Sequence, residues 1–134
     1  MSRIVFTNGC FDILHRGHIE LLRYCASLGQ VIVGLNSDAS VKRLKGETRP
    51  INKVEDRKFL LESTKFVSQV HIFEEDTPLK LIEKLKPDLI VKGGDYVTDS
   101  VIGKEMCEVI IFPLITGYST SNLARQISFG EQQD

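Results

Sequence analysis

Two of the chain's three histidines, His15 and His18, lie three residues apart around Gly17, where a helical pattern begins. Free backbone amides at the start of a helix attract anions, and a glycine lets a phosphate approach the backbone closely. Each imidazole can add an N–H donor to a phosphoryl oxygen. A bare pair with this spacing more often caps a helix or packs in a core. The longer string GCFDILHRGH favours phosphate binding instead.

A basic segment, residues 42–50, holds four cations in nine residues. Because it follows a predicted strand, it could fold over a triphosphate and neutralise the charge that develops as pyrophosphate leaves. The alternative interpretation is a solvated loop without a ligand.

Two further segments carry groups suited to phosphate. Gly93 and Gly94 precede Asp95 directly after a predicted buried strand, so backbone and ligand can come within hydrogen-bonding distance. The segment Gly117–Ser121 offers hydroxyls and free amides at a predicted helix start. Each segment has a plainer alternative, a turn for the first and a helix cap for the second.

Hydrophobic periodicity predicts short strands that alternate with amphipathic helices. The predicted strands are Arg3–Thr7, Val31–Leu35, Val70–Phe73, Leu89–Val91 and Val109–Phe112. The predicted helices are His18–Leu28 before Gly29, a short helix from Ser37 or Asp38 to Lys45, Val54–Phe66, a helix to Leu85 with Thr77 as cap and Pro78 at its first position, and Ser119–Ile127. This order predicts an α/β fold with a doubly wound, Rossmann-like parallel sheet and helices on both faces. Ligands then bind in the loops beyond the carboxyl ends of the strands.

The composition sets the class of protein. The chain has 134 residues, a formal net charge of −1, 42% hydrophobic residues and 26% charged residues, typical of a soluble globular protein with one domain, residues 1–134. The balanced charge gives no reason to expect nucleic acid or an anionic membrane as a partner. Cys10, Cys25 and Cys107 are odd in number and widely spaced, which favours neither a disulfide framework nor a zinc site. Without a signal peptide or a long apolar stretch, we expect a cytoplasmic protein.

The string GCFDILHRGH resembles the GxFDxxHxGH signature of the cytidylyltransferase-like nucleotidyltransferases. Within that family the chain is most similar to the adenylyltransferase domain of heptose-phosphate enzymes, which makes ADP-heptose. The closer resemblance is carried by four segments: Asn36–Ser40, Arg43–Gly46 with Arg49-Pro50, Phe73–Pro78 and Pro87–Tyr96. It extends over nearly the whole chain and implies a fold of the HxGH nucleotidyltransferase type.

The resemblance also implies roles for individual residues. His15 and His18 are the expected catalytic donors, and Lys45, with Arg43 as second choice, is the expected phosphate clamp. The expected nucleotide-binding residues are Gly9, Cys10, Phe11, His15, Gly17, His18, Gly93, Asp95, Tyr118, Ser119 and Thr120. The expected substrate-binding residues are Asp12, Asp38, Arg43 and Arg57. Asp12 could instead form a turn, and Arg57 could instead pair with a neighbouring acid.

The implied activity is transfer of a nucleotidyl group from a nucleoside triphosphate, with ATP favoured, to a sugar phosphate, with heptose 1-phosphate favoured. Mg²⁺ accompanies the triphosphate and is held mainly by phosphate and water, so no protein metal ligand is assigned. Similar enzymes are often homodimers, and in many relatives a sugar kinase is fused to this domain. We therefore expect a homodimer that acts alone or beside a separate sugar kinase.

Two other functions stay open. A cytidylyltransferase acting on glycerol 3-phosphate or another polyol phosphate would share the fold and the histidines. Such enzymes carry an arginine shortly before their ST segment, and the matching stretch here, Pro113–Tyr118, has none. A nucleotide-sensing module would bind the nucleotide without turnover, and the intact HxGH and ST segments argue against it.

Overall fold

The computed structural model describes residues 3–94 and 100–113. The strands in these ranges are β1 (Ile4–Gly9), β2 (Gln30–Asn36), β3 (Val67–Phe73), β4 (Leu89–Gly93) and β5 (Glu108–Phe112). The helices in these ranges are α1 (Arg16–Leu28), α2 (Asp38–Lys45), α3 (Val54–Glu62) and α4 (Leu79–Leu85). The predicted alternation of strands and helices is confirmed. The last predicted helix, Ser119–Ile127, lies outside the described residues.

The described strands form one parallel sheet in the order β3-β2-β1-β4-β5. In β1, Ile4 lies opposite Gln30 of β2, and Val5 lies opposite Leu89 of β4. Strands β2 and β3 are therefore added on one side of β1. The chain then crosses over, and β4 and β5 are added on the other side. Such a reversal leaves a crevice at the carboxyl ends of the two central strands, where ligands of doubly wound sheets bind.

Both faces of the sheet are covered, because successive residues of a strand point to opposite faces. On one face, α1 and α3 pack against β1, β2 and β4 through the buried residues Val5, Leu22, Cys25, Val33, Leu61, Leu89 and Val91. On the other face, α4 and the segment after β4 contribute to a second cluster of buried residues, Phe6, Ile32, Ile82, Ile90 and Val101. The predicted doubly wound arrangement is therefore confirmed.

Two helix starts show how caps set the boundaries. Ser37 caps α2, since its hydroxyl accepts the amide of Ser40 at 3.1 Å, as predicted. The predicted cap at Thr77 is wrong, because Pro78 occupies the N-cap position of α4 and makes no side-chain cap hydrogen bond.

The predicted helix Val54–Phe66 is too long, because α3 ends at Glu62. Immediately after it, the hydroxyls of Ser63 and Thr64 donate to backbone carbonyls of the helix at 2.8 and 2.9 Å. Such local bonds compete with continued helix formation. The following strand, β3, consequently begins at Val67, three residues before the predicted Val70.

Candidate active site

A cavity of about 640 Å³ opens at the carboxyl ends of the central strands β1, β2 and β4. Nine of the predicted site residues line it: Gly9, Cys10, Phe11, Asp12, His15, Gly17, His18, Lys45 and Gly93. The sheet thus brings together side chains from the loop after β1, the end of α2 and the end of β4. Predicted site residues Asp95, Tyr118, Ser119 and Thr120 lie outside the described part of the chain.

The side chains of His15 and His18 together cap the first turn of α1. His15 is the N-cap residue, and its Nδ1 accepts the backbone amides of Gly17 and His18 at 3.0 and 3.4 Å. In return, Nδ1 of His18 accepts the backbone amide of His15 at 3.3 Å. The rings are stacked, with centroids 3.8 Å apart. Helix α1 therefore begins at Arg16, two residues before the predicted start, because this reciprocal cap includes both side chains.

These hydrogen bonds fix the tautomers of both imidazoles. Because Nδ1 of each ring accepts an amide hydrogen, the proton of each neutral ring must reside on Nε2. Burial lowers the pKa of His15, and burial together with the neighbouring His15 lowers the pKa of His18 to about 3. Both rings are therefore neutral near pH 7. They present two Nε2–H donors at the positive end of a helix, which suits a phosphoryl oxygen.

The loop before α1 has an unusual backbone on either side of Asp12. Phe11 and Ile13 adopt positive φ angles of 47° and 54°. This left-handed conformation is unfavourable for bulky and β-branched residues, and it persists only where surrounding contacts impose it. The buried Asp12 carboxylate provides such contacts, because its oxygens accept the amides of Ile51 and Asn52 at 2.7 and 2.8 Å.

Arg57 also holds the loop before α1 in its conformation. Its side chain is fully buried, and its guanidinium donates to the carbonyl oxygens of Cys10, Asn36 and Asn52 at 2.8 to 2.9 Å. It also donates to the carboxylate of Asp38, at 2.8 Å. Of the two alternatives for Arg57, the structure shows the pairing with an acid. Neither Arg57 nor Asp38 lines the cavity, and their predicted contact with substrate stays a prediction.

The side chains of Lys45 and Arg43, the two candidates for the phosphate clamp, lie in different surroundings. Lys45, in the last turn of α2, lines the cavity. Arg43 does not line it; its side chain is half exposed and bonds Asp76 at 2.9 Å and the carbonyl of Glu74. Arg43 therefore ties α2 to the segment after β3, and its phosphate or substrate contact stays a prediction.

Two further cations line the cavity: Arg49, which belongs to the basic segment 42–50, and Lys92, for which the sequence predicts no role. Lys92 follows the buried residues Leu89–Val91 of β4, and burial is the main cause that lowers its pKa. A charged residue that ends an otherwise buried central strand is a signal that could have identified Lys92. Burial likewise raises the pKa of the Cys10 thiol, against the effect of neighbouring cations.

His71 lies on the edge strand β3, and its Nε2 shares a hydrogen bond with Oε1 of Gln69 at 3.0 Å. In the described ranges, no group of three or more His, Cys, Asp and Glu side chains could hold a metal ion. No helix within residues 3–94 and 100–113 is long and apolar enough to cross a membrane.

Comparison with known proteins places this fold and cavity in a family. The cytidylyltransferase-like family matches residues 6–122, and the chain belongs to that family. The predicted enzyme class, a nucleotidyltransferase, is thereby confirmed. A crystal structure of a lipopolysaccharide core biosynthesis protein from Thermoplasma volcanium is 30% identical, with a TM-score of 0.71 over 89% of this chain and 100% of that one.

Relatives of higher identity are longer proteins. Bifunctional protein HldE of Helicobacter pylori is 56% identical over 128 residues, which is 94% of this chain and 28% of that protein. HldE of Campylobacter concisus is 51% identical over 99% of this chain and 29% of its own length. The chain thus spans less than a third of the curated relatives it matches. Pantothenate synthetase of Thermus thermophilus shares the fold. It is 14% identical, with a TM-score of 0.59 over 92% of this chain and 64% of that one.

Proposed function

We propose that the chain transfers the adenylyl group of ATP to heptose 1-phosphate, which yields ADP-heptose and pyrophosphate. The observation that carries the proposal is the pair of Nε2–H donors that His15 and His18 present in the cavity at the N-terminus of α1. The choice of ATP and heptose rests on the adenylyltransferase-like segments of the sequence and on the high identity to HldE. The similarity to the lipopolysaccharide core biosynthesis protein of Thermoplasma volcanium supports a sugar acceptor.

In the proposed reaction, a phosphate oxygen of the acceptor attacks the α-phosphorus of ATP. The bond between that phosphorus and the oxygen bridging to the β-phosphorus breaks, and pyrophosphate leaves in line with the attack. The two Nε2–H groups donate to the α-phosphate and the bridging oxygen, where negative charge grows in the transition state. No covalent bond to the enzyme forms, so positioning and charge stabilisation supply the rate enhancement.

The remaining predicted residues complete the proposed nucleotide site. Lys45, together with Tyr118, Ser119 and Thr120, is proposed to hold the β- and γ-phosphates. Gly9, Cys10, Phe11 and Gly93, which line the cavity, are proposed to bind the nucleotide together with Asp95. Mg²⁺ enters as the counter-ion of the triphosphate, because it binds phosphate oxygens and water in preference to an all-protein site.

The organisation of the whole protein is also a proposal. Residues 1–134 form one nucleotidyltransferase domain of a cytoplasmic homodimer, and a sugar kinase supplies the phosphorylated acceptor. The bifunctional name of the HldE relatives, of which this chain matches 28%, supports the pairing of this domain with a second activity.

The test is a pyrophosphate-release assay in which each of ATP, CTP and GTP is combined in turn with heptose 1-phosphate and with glycerol 3-phosphate. The proposal expects rapid release for ATP with heptose 1-phosphate and a product with the mass of ADP-heptose. Preference for CTP with glycerol 3-phosphate would replace it with the cytidylyltransferase alternative. Saturable nucleotide binding without any pyrophosphate would favour the nucleotide-sensing module.

A further inference from the structure

We propose that Lys92 binds the phosphate of the acceptor and holds it for attack on the α-phosphorus. This inference rests on the proposed function and adds a residue that neither the histidine motif nor the basic segment 42–50 contains. Lys92 lines the same cavity as His15 and His18, and it reaches that cavity from a different element, the carboxyl end of β4.

Strand geometry places Lys92 and the histidines on opposite sides of the cavity. In β4, Leu89 and Val91 face the cluster that includes α1, whereas Ile90 faces the cluster that includes α4. Lys92 is two residues beyond Ile90, so its side chain leaves the sheet on the α4 face. The imidazoles belong to α1 and therefore approach the cavity from the other face.

This arrangement matches the geometry of in-line displacement. Attacking oxygen and leaving oxygen must lie on opposite sides of the α-phosphorus. In the proposed mechanism, the imidazoles bind the α-phosphate and the bridging oxygen of the leaving group. The attacking phosphate must then come from the side of the cavity that Lys92 occupies.

The charge at Lys92 suits a phosphate monoester. Burial lowers the pKa of the Lys92 ammonium, and the nearby ammonium of Lys45 lowers it further, whereas a charged Cys10 thiolate would raise it. Burial and a second nearby cation both disfavour a protonated lysine, and a bound dianion reverses both effects. The phosphate of a sugar 1-phosphate is such a dianion near neutral pH, whereas an uncharged acceptor would gain nothing from a lysine at this position.

The experiment compares Lys92→Met, which keeps the length of the side chain and removes its charge, with Lys84→Met on the exposed surface of α4. Loss of a charged hydrogen bond should raise the KM for heptose 1-phosphate by about 10- to 100-fold. The KM for ATP should stay close to the wild-type value, and Lys84→Met should behave as wild type. An equal rise in the KM for ATP, or no rise in either KM, would overturn the assignment.

A second measurement separates this inference from the proposed function. Inorganic phosphate is titrated calorimetrically into the chain that already holds a non-hydrolysable ATP analogue. Weaker phosphate binding by Lys92→Met, with the analogue bound as tightly as before, supports the role of Lys92 even where heptose 1-phosphate itself is not turned over. Equal phosphate affinity in wild type and variant refutes it. Urea unfolding checks that Lys92→Met is folded, which we expect because methionine is buried at less cost than an ammonium group.

Discussion

His15 and His18 cap each other: the Nδ1 atom of each ring accepts the backbone amide hydrogen of the other residue, at 3.4 and 3.3 Å. A capping box of this kind usually joins a serine or threonine to a glutamate or glutamine. Here the same two side chains close the helix end and leave their Nε2–H groups for a ligand. In the proposed function each histidine therefore combines a structural role with a chemical one, and suitable substitutions can separate the two.

The role of His15 can be divided between cap and donor. Asparagine is a good N-cap residue, so His15→Asn retains an acceptor for the amides of Gly17 and His18 while it removes the Nε2–H. We expect His15→Asn and His15→Ala both to lower turnover by about 10²- to 10³-fold, as for loss of one oxyanion donor. Only the alanine variant should lose about 1 kcal/mol of unfolding free energy. Pyrophosphate release and urea unfolding measure the two effects, and near-normal turnover of His15→Asn would reduce this histidine to a cap.

His18 makes the stability of the fold depend on pH. Its pKa of about 3 in the folded chain lies below the value of about 6.5 expected in the unfolded chain, so the unfolded state binds the proton first. The contribution of His18 is fully present above about pH 6.5 and is lost as the pH falls toward 3, by at most about 1.4 kcal/mol per pH unit.

The matching variant is His18→Gln, since glutamine is a normal capping-box residue and does not titrate. Its unfolding free energy, measured by urea at a series of pH values from about 7 to 5, should fall less steeply than that of the wild type. His71→Gln, on the edge strand β3, is the control and should follow the wild-type slope. Identical slopes for wild type and His18→Gln would mean that His18 is not buried as described.

Two arginine–carboxylate pairs in the chain have similar geometry and different surroundings. Arg57 bonds Asp38 at 2.8 Å with a fully buried guanidinium, and Arg43 bonds Asp76 at 2.9 Å with both side chains largely exposed. We expect Arg57→Met to lower the unfolding free energy by about 3 kcal/mol or more, because it also leaves three carbonyl oxygens without their donor. Arg43→Met should change it by less than about 1 kcal/mol. Similar losses in the two variants would contradict the burial of Arg57.

Local sequence patterns were sufficient for the strands, the sheet type and the histidine cap region. The signal at His15, Gly17 and His18 lies within one turn of helix, and the buried strands show as short apolar runs. Such local patterns cannot predict contacts between segments that are distant in sequence. The Asp12 carboxylate meets the amide of Ile51 39 residues away, and Arg57 meets the carbonyl of Cys10 47 residues away.

The same limit applies to the charged residues beside the cavity. The resemblance to the family makes Asp38, Arg43 and Arg57 candidates for substrate contact, and that contact stays a prediction. The structure pairs each of them with a group of the protein itself, because α2, α3 and the segment after β3 meet beside the cavity. Lys92 is a cavity residue for which the sequence predicts no role. It lies in a strand, far in sequence from the histidines, and only the pairing of β1 with β4 brings it to the cavity.

The Asp12 carboxylate restrains the loop between β1 and α1. In Asp12→Asn, one oxygen becomes an NH2 group, which faces the amide of Ile51 or Asn52 and cannot accept its hydrogen. The loss of one buried acceptor should lower the unfolding free energy by about 1 to 3 kcal/mol. Because Phe11 and Ile13 then lose a contact that holds their positive φ angles, we also expect the loop to shift and turnover to fall. Urea unfolding and pyrophosphate release measure the two changes, and Asp56→Asn, on the exposed surface of α3, is the matched control. If Asp12→Asn keeps both wild-type stability and wild-type turnover, the carboxylate does not hold the loop.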